Sequence, residues 1–150
     1  MKEKRDDFLY EKESYDIIEA CREVWQEFGG SFKEAIVDKA LEITLRGRDY
    51  KVESQKRIDI YFRGEKLGTY IPDKIVNGII LIAIKCKPFI ASTMLDISGV
   101  PPVITKEDER QFWHYLKASP YKLGFLINFS PQKLEFKRRI YDKARKNQPA

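Results

Sequence analysis

Thr69-Tyr70-Ile71-Pro72-Asp73, Lys74 to Gly78, and then Ile79-Ile80-Leu81-Ile82-Ala83-Ile84-Lys85-Cys86 decide how this chain is read. The last eight residues are a short, branched, nearly continuous apolar run, which predicts a buried strand rather than a helix. Asn77-Gly78 in front of it is a two-residue hairpin signal, because both residue types tolerate positive φ. The hairpin brings Asp73 alongside the strand that ends in Lys85. Period two then puts Ile79, Leu81, Ala83 and Lys85 on one face, and Ile80, Ile82, Ile84 and Cys86 on the other. An aspartate after a proline and a lysine at the end of an apolar strand make a candidate site with an alanine, Ala83, between them.

Working outward, the chain upstream predicts two helices. The first has Ser14 as its N-cap, an apolar stripe of Ile17, Ile18, Cys21, Val24, Trp25 and Phe28, and Gly29-Gly30 as its stop. The second starts at Ser31-Phe32-Lys33-Glu34 and carries Ile36, Val37, Ala40, Leu41 and Leu45, with Gly47 as its end. From Tyr50 the period drops to two: Ile58, Ile60 and Phe62 alternate with Arg57, Asp59, Tyr61 and Arg63, as in a half-buried antiparallel strand. Gly64-Glu65-Lys66 turns the chain back, so up to four consecutive strands form a meander that includes the opening hairpin.

Downstream, Pro88 to Ile104 is apolar without a clear period. A stretch of this kind is commonly a lid, a binding loop or an insertion, and a homodimer contact through it stays open. Thr105 caps a third helix that Ser119-Pro120 stops. Leu123 to Phe129 is an apolar strand, and Leu134 to Tyr141 a half-exposed one. The order α-α-β-β-β-β-α-β-β predicts an α/β fold with a mixed sheet of about five to six strands flanked by helices.

A length of 150 residues predicts a single domain over 1–150, with 1–13 and 142–150 as flexible ends. No apolar run is long enough for a membrane span, and the charged N-terminus is no signal peptide, so a cytoplasmic protein without membrane partners is expected. Cys21 and Cys86 have no metal spacing and read as reduced, buried thiols. The net charge of +5 is matched by residues 133–150 alone, with seven Lys/Arg against two acids. The body is close to neutral, so any basic nucleic-acid surface rests on one end of the chain.

These residues resemble the GxxExxY proteins, a family placed in the PD-(D/E)xK, restriction-endonuclease-like nuclease superfamily. The similarity runs over about residues 14–141 and rests on Trp25 to Gly29, Phe32, Glu34, Gly64 to Gly68 and Tyr70 to Asp73. It continues through Gln111, Tyr115-Leu116-Lys117-Ala118 and, most specifically, Lys122 to Phe129. The resemblance implies a restriction-endonuclease-like core, a DNA or RNA partner, and Mg²⁺ held by Asp73 and Glu34. It also gives Asp73, Lys85, Glu34 and Gln111 the catalytic positions.

The chain departs from the family twice. The family's Gly, Glu and Tyr positions are here Ser31, Glu34 and Val37, and the glutamate expected two residues before Lys85 is Ala83. Magnesium wants hard oxygen ligands, and alanine supplies none, so weakened or lost phosphodiester hydrolysis is expected. An acid moved elsewhere, Glu34 or Asp96, is the alternative, and a protein-interaction scaffold built on residues 88–104 is the third reading.

Plainer roles stay open for the same residues. Ser31 and Glu34 fit a capping box, Asp73 a turn aspartate bonding its own backbone, and Lys85 and Gln111 solvated positions. His114, Trp113 and Tyr115 fit surface or packing roles. Lys137, Arg138 and Arg139 fit phosphate contacts or a charged strand edge that resists aggregation.

Overall fold

The structure is a computed structural model that describes residues 9–30, 32–86 and 104–141. Helices α1 (Glu11–Phe28) and α2 (Glu34–Gly47) are followed by strands β1 (Val52–Ser54), β2 (Ile58–Phe62), β3 (Glu65–Tyr70), β4 (Lys74–Val76) and β5 (Ile80–Lys85). Helix α3 (Lys106–Ala118) and strands β6 (Leu123–Phe129) and β7 (Leu134–Ile140) complete the order. Five strands make one mixed sheet in the order β1-β4-β5-β6-β7, and β2 and β3 make a separate two-stranded ribbon. This is the α/β architecture expected, consistent with a restriction-endonuclease-like core. Among the described residues no helix is long and apolar enough to cross a membrane.

The Asn77-Gly78 turn forms as read. Both residues take positive φ, 52° and 67°, and the Ile79 N–H donates to the Val76 carbonyl at 3.0 Å. Alternation along β5 then builds two cores. Ile80, Ile82 and Ile84 pack with α1, α2 and the Leu123, Phe125, Ile127 and Phe129 side of β6. Leu81 and Ala83 join Leu126, Phe112 and Leu116 under α3 on the opposite face. β5 pairs parallel with β6, so the chain must cross the sheet between them, and α3 lies on that crossover.

Two glycines set close approaches. A side chain at Gly30 would overlap the Ser130–Pro131 backbone, and the Trp25 indole N–H donates to the Ser130 carbonyl at 2.8 Å. The end of α1 is thereby tied to the β6–β7 turn. At Gly124, a Cβ would sit 2.7 Å from Phe112, which lets α3 lie low on β6.

Four local expectations differ. α1 begins at Glu11 rather than after Ser14; its N-cap is Tyr10 in the left-handed region, and Ser14 is buried inside the helix with an unpartnered hydroxyl. Residues 11–13, expected to fray, are therefore its first turn. The N-cap of α2 is Lys33, which leaves Glu34 as the first helical residue and not the third-position partner of a capping box. Ser31 lies outside the described residues. The meander is also split: β1 pairs with β4, register Glu53↔Ile75, while the chain leaves the sheet at Gln55 (φ 59°) to make the ribbon and returns at Asp73. Of the ribbon's alternating apolar residues only Ile58 is buried, so most of its surface faces water. The 88–103 part of the apolar segment lies outside the described residues; Ile104 is buried in the core under α3.

Candidate functional site

The site is built where β4 and β5 splay apart. Asp73 follows the buried Pro72 and stands just beyond the last paired residues of the hairpin, Lys74 and Ile82. Its Oδ2 accepts the Ile84 N–H at 2.6 Å, across the hairpin rather than within its own turn. That bond satisfies a strand amide and fixes the carboxylate against β5. Burial pushes the Asp73 carboxyl above its usual range; the Ile84 bond opposes this, Asp38 adds to it, and Lys74 and Lys85 oppose it.

Glu34 enters from the first turn of α2. Its carboxyl is also raised, by desolvation and then by the negative charge of Asp73, with Lys85 opposing and Asp38 adding. Two acids on different elements thus repel one another across a shared space. Lys85, at the end of β5, reaches into the same space, with Nζ 4.0 Å from Oδ1 of Asp108. Gln111 lies one turn further along α3, on the same rim.

All four of the expected catalytic residues, Glu34, Asp73, Lys85 and Gln111, line one cavity of about 180 Å³ together with Ala83, Tyr70, Tyr115 and Asp108. Ala83 is half-buried in its wall, on the Lys85 face of β5, where a longer acidic side chain would point at the gap between Asp73 and Lys85.

Three features had no clear sequence signal. Asp108 reads as an ordinary first-turn residue and does serve a capping box, its Oδ2 accepting the Thr105 N–H at 3.0 Å. Lys74 is fully buried, with Nζ 2.7 Å from Asp38 Oδ1 and 3.5 Å from Ser54 Oγ. This pair fastens α2 to β4 beside the site. Tyr70 and Tyr115 stack with ring centres 3.9 Å apart and planes 2° from parallel. The only hint was aromatic content within the Tyr70–Asp73 and Tyr115–Ala118 runs.

The remaining candidates lie elsewhere. Lys137 and Arg139 face α3, where both pair with Glu109 at 3.4 and 3.1 Å. Arg138 points the opposite way and donates to the Leu9 carbonyl at 2.6 Å, so the three do not share one face. His114 is exposed on α3. The Cys86 thiol is pushed up to about 11, by burial first and then by Glu34 and Asp73, so it is no ready nucleophile. Asp96 lies outside the described residues.

The donor set can be tested against magnesium. Among the described residues no group of three or more His, Cys, Asp and Glu is arranged to hold a metal ion. A closed protein cage is therefore not offered. Asp73 and Glu34 are instead an open pair of hard oxygen donors whose mutual repulsion a divalent cation would relieve. Magnesium commonly keeps several waters and takes one or two carboxylates plus substrate phosphates, so the pair fits a largely hydrated ion.

The family model for the PD-(D/E)XK nuclease superfamily matches residues 11–139, and the chain belongs to that superfamily. A solved structure, the crystal structure of SSO0001, is similar at a TM-score of 0.48 and 21% identity, over 73% of this chain and 52% of that one. The chain thus spans about half the length of that protein. No curated protein matches it.

Proposed function

We propose that this chain is a cytoplasmic, nucleic-acid-binding relative of the GxxExxY proteins in which Ala83 has weakened Mg²⁺-dependent phosphodiester hydrolysis. The observation that carries the reading is the convergence of Glu34 from α2, Asp73 from the bend before β4, Lys85 from β5 and Gln111 from α3 on one cavity whose wall contains Ala83. Asp73 and Glu34 would hold the ion. When bound, it would neutralise charge on the scissile phosphate and acidify an attacking water. Lys85 supplies a positive charge for the developing oxyanion or aligns the nucleophile, and Gln111 offers an amide to the same rim.

The test is cleavage of single- and double-stranded DNA and RNA with Mg²⁺ or Mn²⁺, alongside binding at low salt. Slow cleavage that disappears in Asp73→Ala and rises in Ala83→Glu is expected. No binding to any nucleic acid at low salt, or equal cleavage by wild type and Asp73→Ala, would overturn the proposal.

A second reading has an acid moved off β5, leaving an ordinarily active enzyme. Asp108 favours it, since it reaches the cavity within 4.0 Å of Lys85. On that reading Asp108→Asn abolishes cleavage as fully as Asp73→Ala, whereas an Asp108 confined to helix capping leaves cleavage in place.

A further inference from the structure

We infer that the β2–β3 ribbon is a docking arm for single-stranded nucleic acid that feeds the cavity, an inference that rests on the proposed function above. The ribbon is a two-stranded sheet of its own, not hydrogen-bonded to the main sheet. Its root is fixed: Ile58 pairs with Tyr70, and both pack into the core under α3. Tyr70, the last residue of β3, also lines the cavity and stacks on Tyr115. The ribbon therefore begins at the site itself. From Tyr70 to the turn it runs about 17 Å at strand rise.

The outer part is built from exposed planar and cationic groups. Tyr61, Phe62 and Leu67 are 58%, 57% and 67% exposed. Leu67 is the residue skipped where the pairing shifts from Ile60↔Gly68 to Tyr61↔Lys66, so a bulge carries an apolar side chain into water. At the turn, Arg63 takes φ 51° before Gly64 at φ 80°, a left-handed position that Asn, Asp or Gly would normally fill. Its guanidinium lies over the Phe62 ring, 5.0 Å from the centroid.

Charge favours a polyanion over a second protein surface. Arg57, Arg63 and Lys66 outnumber Asp59 and Glu65. Asp59 and Lys66 engage one another at 3.2 Å, with the Thr69 hydroxyl donating to Asp59 at 3.0 Å, which leaves Arg57 and Arg63 against Glu65. The cavity walls are acidic, so nucleic acid needs a handhold outside them. β7 is a poorer one, because Glu109 engages Lys137 and Arg139 and Arg138 turns to the other face. Exposed aromatics beside arginines are the arrangement on which unpaired bases stack, and stacking tolerates any sequence.

The experiment titrates a fluorescein-labelled 20-nucleotide oligothymidylate, and a duplex of the same length, into the full chain across a salt series. The Tyr61→Ala/Phe62→Ala variant should bind the single strand about tenfold more weakly or worse. Arg63→Ala, which keeps the aromatic surface, should flatten the salt dependence by about one unit of slope. Tyr15→Ala removes another exposed tyrosine, on α1, and should bind as wild type does. Circular dichroism and sedimentation on each variant report folding and self-association.

Unchanged binding in both ribbon variants overturns the docking arm while the proposed function stands. A wild type that binds no nucleic acid at low salt sinks both. Ribbon variants that turn a dimer into a monomer without weakening binding assign the ribbon to a second copy of the chain and also overturn the inference. A variant set that weakens duplex but not single-strand binding removes the single-strand assignment.

Discussion

Asp38→Ala should be among the costliest substitutions outside the apolar core, because it strands a buried ammonium. Lys74 is 0% exposed and its Nζ is 2.7 Å from Asp38, whose side chain is 19% exposed. Removing one partner of a buried ion pair costs about 3–5 kcal/mol, whereas an exposed pair contributes under about 1 kcal/mol. The full burial of Lys74 puts this pair near the first case. Partial exposure of Asp38, and a Ser54 hydroxyl 3.5 Å from the ammonium, favour the lower end. A loss of about 3 kcal/mol corresponds to a fall of about 6–12 °C in the midpoint for a domain of this size. Urea unfolding followed by fluorescence of Trp25 and Trp113 measures it. The double variant Asp38→Leu/Lys74→Met removes both charges and should recover most of the loss, since apolar replacement of a buried pair is often neutral or stabilising. A single-variant loss below about 1 kcal/mol, or a double variant as unstable as the single, would refute the idea that the pair is a buried fastening between α2 and β4.

Two further outcomes follow from the site and its support. Asp73→Asn should be more stable than wild type at pH 7, because asparagine can still accept the Ile84 N–H and carries no charge. The sign follows from the raised Asp73 carboxyl: the folded protein holds that proton more tightly than the unfolded chain, so the group's favourable contribution is complete below about pH 3.9 and is lost as pH rises through the raised folded value. The variant's advantage should therefore grow from pH 4 to 7 in thermal melts, and added Mg²⁺ should raise the wild-type midpoint alone; a constant advantage at all pH values would contradict this. Gly124→Ala should cost about 1–3 kcal/mol by overpacking, since its Cβ would lie 2.7 Å from Phe112 and 3.2 Å from Leu116. Calorimetry showing no loss would mean α3 does not rest on that glycine.

What the sequence revealed, and what it hid, divides by the range of the interaction. The Asn77-Gly78 turn and the two faces of β5 were legible because turn chemistry and side-chain alternation are local. The wholly buried β6 was legible because an apolar run bounded by Lys122 and Ser130 has few other uses. The start of α1 was not, since a left-handed Tyr10 cap leaves no residue signature and Ser14 offered a better-looking one. Period two identified β2 and β3 as strands but could not say which strands they would pair with. Asp38 and Lys74 looked like ordinary charged residues, because only folding brings positions 36 apart within 2.7 Å. Asp73, Lys85, Glu34 and Gln111 were named through family resemblance, and the hairpin alone accounted for only the first two.

The acids bear on what Ala83 means. Burial raises the affinity of both Glu34 and Asp73 for protons, Asp73 adds to that of Glu34, and Asp38 adds to both. A cavity that served only packing would gain by exchanging either acid for a neutral side chain, as buried like charges are costly without compensation. Lys85 compensates in part, and it is also drawn toward Asp108 across the cavity. On the proposed function, an alanine at 83 keeps a further negative charge out of this crowded wall and so limits the repulsion, while Glu34 and Asp73 would form an incomplete donor pair. A chain that had abandoned cations altogether would have no electrostatic reason to keep that pair. Metal affinity measured directly, by the Mn²⁺ dependence of the thermal midpoint in wild type, Ala83→Glu and Asp73→Asn, separates the cases. Weak stabilisation in wild type, stronger in Ala83→Glu and none in Asp73→Asn marks a reduced cation site, and no response in any of the three marks a scaffold that no longer binds metal.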